Sequence, residues 1–89
     1  MKQPTRLIIR PSAQKQLQKL PLQIQKDIIS KLRFYVHSTM PLSFAKRLTN
    51  YELGEYRYRI DKDYRVVFDV KGDTIVVTEI GHRSKMYAK

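Results

Sequence analysis

The chain lacks cysteine altogether, is poor in acid and carries no long hydrophobic run. Without thiols there is no disulfide, no zinc–thiolate site and no thiol nucleophile. A secreted domain this small ordinarily carries covalent staples, so their lack predicts a cytoplasmic protein. The opening Met1–Arg6 segment leads into only three apolar residues, Leu7 to Ile9. That is too short for the apolar region of a signal peptide or for a membrane span, and no membrane partner is expected. Eight Asp and Glu stand against eighteen Lys and Arg, a net charge of +10 on 89 residues. With 42 % hydrophobic residues, a disordered basic tail is excluded. What remains is a single folded basic domain, residues 1–89, whose partner is anionic: nucleic acid, an acidic protein or an anionic surface.

No internal repeat, low-complexity tract or linker interrupts the chain. Residues 6–10 read as a short strand ended by Pro11, which has no N–H for a ladder. Ser12 is the expected N-cap of a helix over 13–20, with Ala13, Leu17 and Leu20 on one side. Pro21 breaks that helix and opens the next, 22–37, whose apolar stripe is Ile24, Ile28, Leu32, Tyr35 and Val36. Residues 38–54 are expected to hold one helical turn and irregular chain. The period then changes to two over 55–60, 64–70 and 74–80, with turns at Asp61-Lys62-Asp63 and Lys71-Gly72-Asp73. The fold class is α+β, ordered β-α-α-β-β-β. Both helices are predicted to cover one face of a mainly antiparallel four-stranded sheet.

Alternation sets the chemistry. Tyr56, Tyr58 and Ile60 share one strand face, leaving Arg57 and Arg59 on the other; Tyr64, Val66, Phe68 and Val70 likewise leave Arg65 opposite. Three guanidiniums are thus expected on the uncovered face, as solvated charges or as a phosphate site, to which guanidinium binds bidentately. In the last strand Arg83 falls in phase with Ile75, Val77 and Glu79, and both faces of that strand are apolar. The tyrosines read as core rather than as a stacking platform. Residues 1–45 carry eight basic groups and one acid, a net +7, against ten and seven in residues 46–89, a net +3. The helices therefore add a second basic surface. Lys15, Lys19, Lys26, Lys31 and Arg33, with Lys46, Arg47 and Lys85, are the cations expected to dock on a polyanion such as RNA.

Four blocks carry a family resemblance: Ala45-Lys46-Arg47-Leu48, Gly54-Glu55-Tyr56-Arg57-Tyr58-Arg59-Ile60, Asp63-Tyr64-Arg65-Val66-Val67-Phe68 and Gly81-His82-Arg83-Ser84-Lys85-Met86-Tyr87. Their order and spacing resemble the RelE/ParE superfamily of toxins from type II toxin–antitoxin modules. That resemblance implies a fold similar to small microbial ribonucleases. In the RelE branch it implies a ribosome-dependent endoribonuclease that cleaves translated mRNA without metal or cofactor. Arg57, Arg59, Arg65, Arg83 and Tyr87 occupy that branch's catalytic positions. The ParE branch, which poisons DNA gyrase, generally lacks the full set, and a non-catalytic RNA-binding module is a third reading. Where some relatives have lysines on the second strand this chain has Arg57 and Arg59, which hold phosphate but do not serve as general base. His82 reads as a structural side chain or an acid/base group, and Glu79 as a base or an ion-pair partner. The implied partners are the ribosome, its mRNA and a cognate antitoxin with an acidic, partly disordered segment, assembled as a hetero-oligomer.

Overall fold

Two prolines set the start of the molecule. The computed structural model of the protein describes residues 4–48 and 54–86, with side chains described as far as Ser84. Strand β1, Arg6–Ile9, is followed by helix α1, Pro11–Gln18, and helix α2, Leu22–His37. Pro11 takes the first helical position, where no N–H is needed, so Arg10 and not Ser12 is the N-cap residue. Pro21 is itself the N-cap residue of α2. Between the helices, the Gln25 amide donates to the carbonyls of Leu20 (2.8 Å) and Gln18 (3.3 Å). It thereby satisfies groups that the end of α1 leaves open.

A 3₁₀ turn, Pro41–Phe44, leads into β2, Ala45–Arg47; β3 spans Tyr56–Ile60, β4 Tyr64–Lys71 and β5 Thr74–His82, and a single turn, α3, covers Arg83–Met86. The sheet has five strands in the order β1-β5-β4-β3-β2. Only β1 and β5 run parallel. The added strand is β2, which at three residues is too short to display alternation. The helices cover one face. Ala13, Leu17, Ile28, Leu32 and Val36 pack there on Tyr58, Ile60, Val66, Phe68, Ile75, Val77 and Ile80.

One irregularity decides where the C-terminal groups point. Val67 pairs with Glu79 but Phe68 pairs with Val77, so Thr78 is an extra residue in β5. Side chains alternate with period two, and a single inserted residue exchanges the faces beyond it. Ile75 and Val77 therefore share the core face with Ile80, not with Glu79. The expected phase of Arg83 with Ile75 and Val77 is broken. Gly81 now stands opposite Arg65, and Arg83 lies two residues beyond it.

Candidate functional site

The sheet face away from the helices is crossed by two rows of basic residues. In one, Lys46 of β2 pairs with Arg57, which pairs with Val67; in the next, Arg59 pairs with Arg65, which pairs with Gly81. Lys46 and Arg59 are exposed and Arg57 is half-buried. None of the three forms an ion pair with a described carboxylate. Arg83 joins them from the end of β5: its N–H donates to the Asp63 carbonyl at 2.7 Å, and its Nε lies 4.0 Å from Asp63 Oδ1. Both side chains are more than half exposed, so this is a loose, screened contact that leaves the guanidinium available.

Arg65 departs from expectation. It shares the face of Arg59, but only 6 % of it is exposed. Its Nη1 donates to the carbonyls of Lys62 (2.9 Å) and Tyr64 (3.2 Å). The Lys62 carbonyl belongs to the β3–β4 connection, where Asp61 and Lys62 adopt positive φ, and the Tyr64 carbonyl to the first residue of β4. A buried guanidinium needs acceptors, and these two carbonyls supply them. The three-arginine surface expected from alternation is therefore two accessible arginines plus one that braces the turn, with Lys46 taking the third surface position.

The same face is partly roofed. Gly54 crosses it so closely that an added Cβ would stand 2.6 Å from Val67 Cγ1. Val67 is consequently fully buried although it lies outside the helix-side core. Reciprocal bonds hold the crossing: the Glu55 N–H donates to Asp69 Oδ1 (2.9 Å), and the Val70 N–H donates to Glu55 Oε1 (3.0 Å). No sequence pattern marks this role for Gly54, Glu55 or Asp69.

His82 and Glu79, the suggested acid/base groups, border a recess of about 590 Å³ on the α1 side, lined also by Lys19, Leu20, Pro21 and Tyr64. The Gln16 amide donates to Glu79 Oε2 (2.7 Å) and accepts from the Ile80 N–H (2.9 Å). It closes β5 where β1, which reaches only to Val77, no longer does. The His82 ring meets Tyr64 edge-on at 5.4 Å, and its Nδ1 accepts from the Ser84 N–H. His82 is thus engaged away from the arginine rows, while Glu79, which by register ends the Arg57–Val67 row, is held by Gln16. The expected pairing of Glu79 with Arg83 gives way to Gln16.

Tyr58 is fully buried and donates its hydroxyl to the Pro41 carbonyl (3.0 Å). Burial pushes its phenol far above the ordinary tyrosine range. Tyr56 stacks on Phe68. On and beside the helices Lys15, Lys19, Lys26, Lys31 and Arg33 are all exposed, and Lys46 and Arg47 are exposed on β2. Tyr87 and the side chain of Lys85 lie outside the described residues.

A family model described as the ParE toxin of the type II toxin–antitoxin system, parDE, matches residues 7–87. Among solved structures, a chain of the RelBE2 toxin–antitoxin complex from Mycobacterium tuberculosis superposes with a TM-score of 0.73 at 24 % identity. The match covers 94 % of this chain and 97 % of that one, a likeness of fold. No curated protein sequence matches significantly.

Proposed function

This chain belongs to the family of ParE toxins of type II toxin–antitoxin systems; within that family we propose that it acts as a ribosome-dependent endoribonuclease of translated mRNA. The observation that carries the reading is the set of accessible cations on the open sheet face: Lys46, Arg57 and Arg59 in adjoining rows, with Arg83 at their end. In the proposed reaction the ribose 2′-oxygen loses its proton and attacks the adjacent phosphorus. The bond to the 5′-oxygen breaks, and that oxygen takes up a proton, leaving a 2′,3′-cyclic phosphate and a 5′-hydroxyl. The transition state is dianionic, and cations fixed in advance on a rigid sheet stabilise it more than they stabilise the singly charged substrate.

Arginine remains protonated throughout, so these groups neutralise and orient rather than exchange protons. His82 and Glu79 are occupied elsewhere, and the ribosome supplies the remaining orientation in this reading. The cytoplasm is where the substrate is found. A cognate antitoxin with an acidic segment would mask the same cations; the toxin–antitoxin composition of the solved relative supports that partner.

The second reading, a gyrase inhibitor that cleaves nothing, is favoured by the matched family and by the burial of Arg65, one of the arginines that the nuclease resemblance implies. Primer extension on translated mRNA, with and without ribosomes, separates the two. Ribosome-dependent cuts that Arg83→Ala abolishes support the nuclease. No cuts, together with blocked gyrase supercoiling, would establish the inhibitor.

A further inference from the structure

Three of the large apolar side chains left in water belong to one stretch of chain. Phe34 is 60 % exposed, Met40 57 % and Phe44 45 %. Phe34 lies off the buried stripe of α2, which is Ile28, Leu32 and Val36. The rings of Phe34 and Phe44 meet edge-to-face at 5.8 Å, and Phe44 is backed by Tyr35, stacked on it at 4.7 Å. Tyr35 in turn rests on the buried Tyr58. The exposed rings are therefore fixed by the core, and little conformational freedom remains to be lost when a ligand lies on them.

Charge identifies the ligand. From Ile28 to Tyr51 the sequence has no acid, while Arg33, Lys46 and Arg47 are basic. Aromatic faces embedded in unopposed cations match a chain that alternates phosphate with flat rings. Continuity decides between RNA and an acidic protein. Phe44, on the helix side, is followed two residues later by Lys46 of the edge strand β2, which stands opposite Arg57 on the open face. A flexible strand can therefore turn round that edge from the rings to the cation rows. We infer that Phe34 and Phe44, flanked by Met40, form a stacking platform for the bases of single-stranded RNA, whose phosphates run on over Lys46 to Arg57. The inference rests on the nuclease reading and adds to it the path by which the substrate strand leaves the scissile phosphate.

The test uses the purified toxin and a short single-stranded 2′-O-methyl oligoribonucleotide carrying 2-aminopurine, which binds without being cut. Stacking quenches the fluorophore. Phe34→Leu keeps an apolar side chain at an exposed position, and Phe44→Leu follows it, each checked for folding by circular dichroism. Wild type is expected to quench, and Phe34→Leu to weaken binding roughly tenfold with the slope of affinity against salt unchanged, since no phosphate contact is lost. Lys46→Ala is expected to reduce that slope by about one. Unchanged affinity in both phenylalanine variants, no quenching by wild type, or a loss confined to antitoxin affinity would overturn the platform. Cleavage of translated mRNA by wild type is measured in parallel. Quenching without cleavage counts against the nuclease alone, and cleavage without loss in the variants counts against the platform alone.

Discussion

Arg59 and Arg65 stand directly opposite each other across the β3–β4 ladder, yet one guanidinium is in water and the other is bound to the backbone of the adjoining turn. Two arginines in register invite the same role, and the structure gives them different ones. Arg65→Ala removes a charged donor from two carbonyls and is expected to cost about 2–3 kcal/mol of folding stability. Arg59→Ala, at an exposed position, is expected to change stability by less than about 0.5 kcal/mol while lowering cleavage by roughly tenfold or more. Urea unfolding and primer extension on the two variants check both statements. Equal stability losses would show that Arg65 does not brace the turn.

Gly54 and Gly72 both have positive φ, at 156° and 62°, but only Gly54 is crowded. Gly72→Ala meets nothing within 4 Å and is expected to cost about 1–2 kcal/mol from backbone conformation alone. Gly54→Ala must also displace Val67, which is buried against the sheet, so a loss of about 3 kcal/mol or more is expected. The roof over Val67 would shift with it, and cleavage should fall because Arg57 lies in the same row. Thermal melts of the two variants, run together, separate the contact from the conformation.

The pH dependence has a definite sign at two groups. Asp61 is raised above its ordinary 3.8, by desolvation first, then by hydrogen bonding and repulsion from Asp27, against the opposing pull of Lys31. The folded chain therefore holds this proton more tightly than the unfolded chain. Its ionisation costs stability as pH rises from the unfolded value through the folded one. Asp61→Asn, which also tolerates the left-handed backbone, should stabilise at neutral pH, with the gain vanishing below about pH 3. Tyr58 is raised above 10.0 by burial first and by Tyr35 second. Below the unfolded value the phenol is neutral in both states; once pH exceeds it, the phenol of the unfolded chain ionises first and stability declines. Tyr58→Phe should flatten this alkaline decline. Urea titrations across the pH range provide the measurement.

What the sequence made legible follows from periods long enough to read. The sixteen residues of α2 display their stripe over four turns, and β3 and β4 alternate plainly enough to place Tyr58, Val66 and Phe68 inside. Three residues of β2 display no period, so Lys46 could be assigned to docking but not to the row of Arg57. The bulge at Thr78 has no local signature: it exists because two strands pair with unequal residue counts. The environments of Arg83, Glu79 and His82 all lie beyond it, so their phase was not readable. Alternation placed Arg65 on the correct face but carries no information about the carbonyls of the turn beside it.

Gln16 and Glu79 offer a charge-exchange test of whether Glu79 is structural. The Gln16 amide uses both ends, giving a proton to the Glu79 carboxylate and taking one from the Ile80 N–H. Gln16→Glu retains the acceptor for Ile80 but sets two carboxylates against each other at a half-buried site. A loss of about 2 kcal/mol at neutral pH is expected, easing as the solution is acidified. Adding Glu79→Gln reverses the donor and acceptor of the pair, because the new amide at position 79 gives the proton that the new carboxylate at position 16 accepts. The double variant should recover most of the loss, a coupling of about 1–2 kcal/mol in a double-mutant cycle. Glu79→Gln alone should leave the rate of mRNA cleavage within about threefold of wild type, well below the roughly 10²–10⁴-fold that a general base contributes. A larger loss of rate with stability intact would return Glu79 to the chemistry.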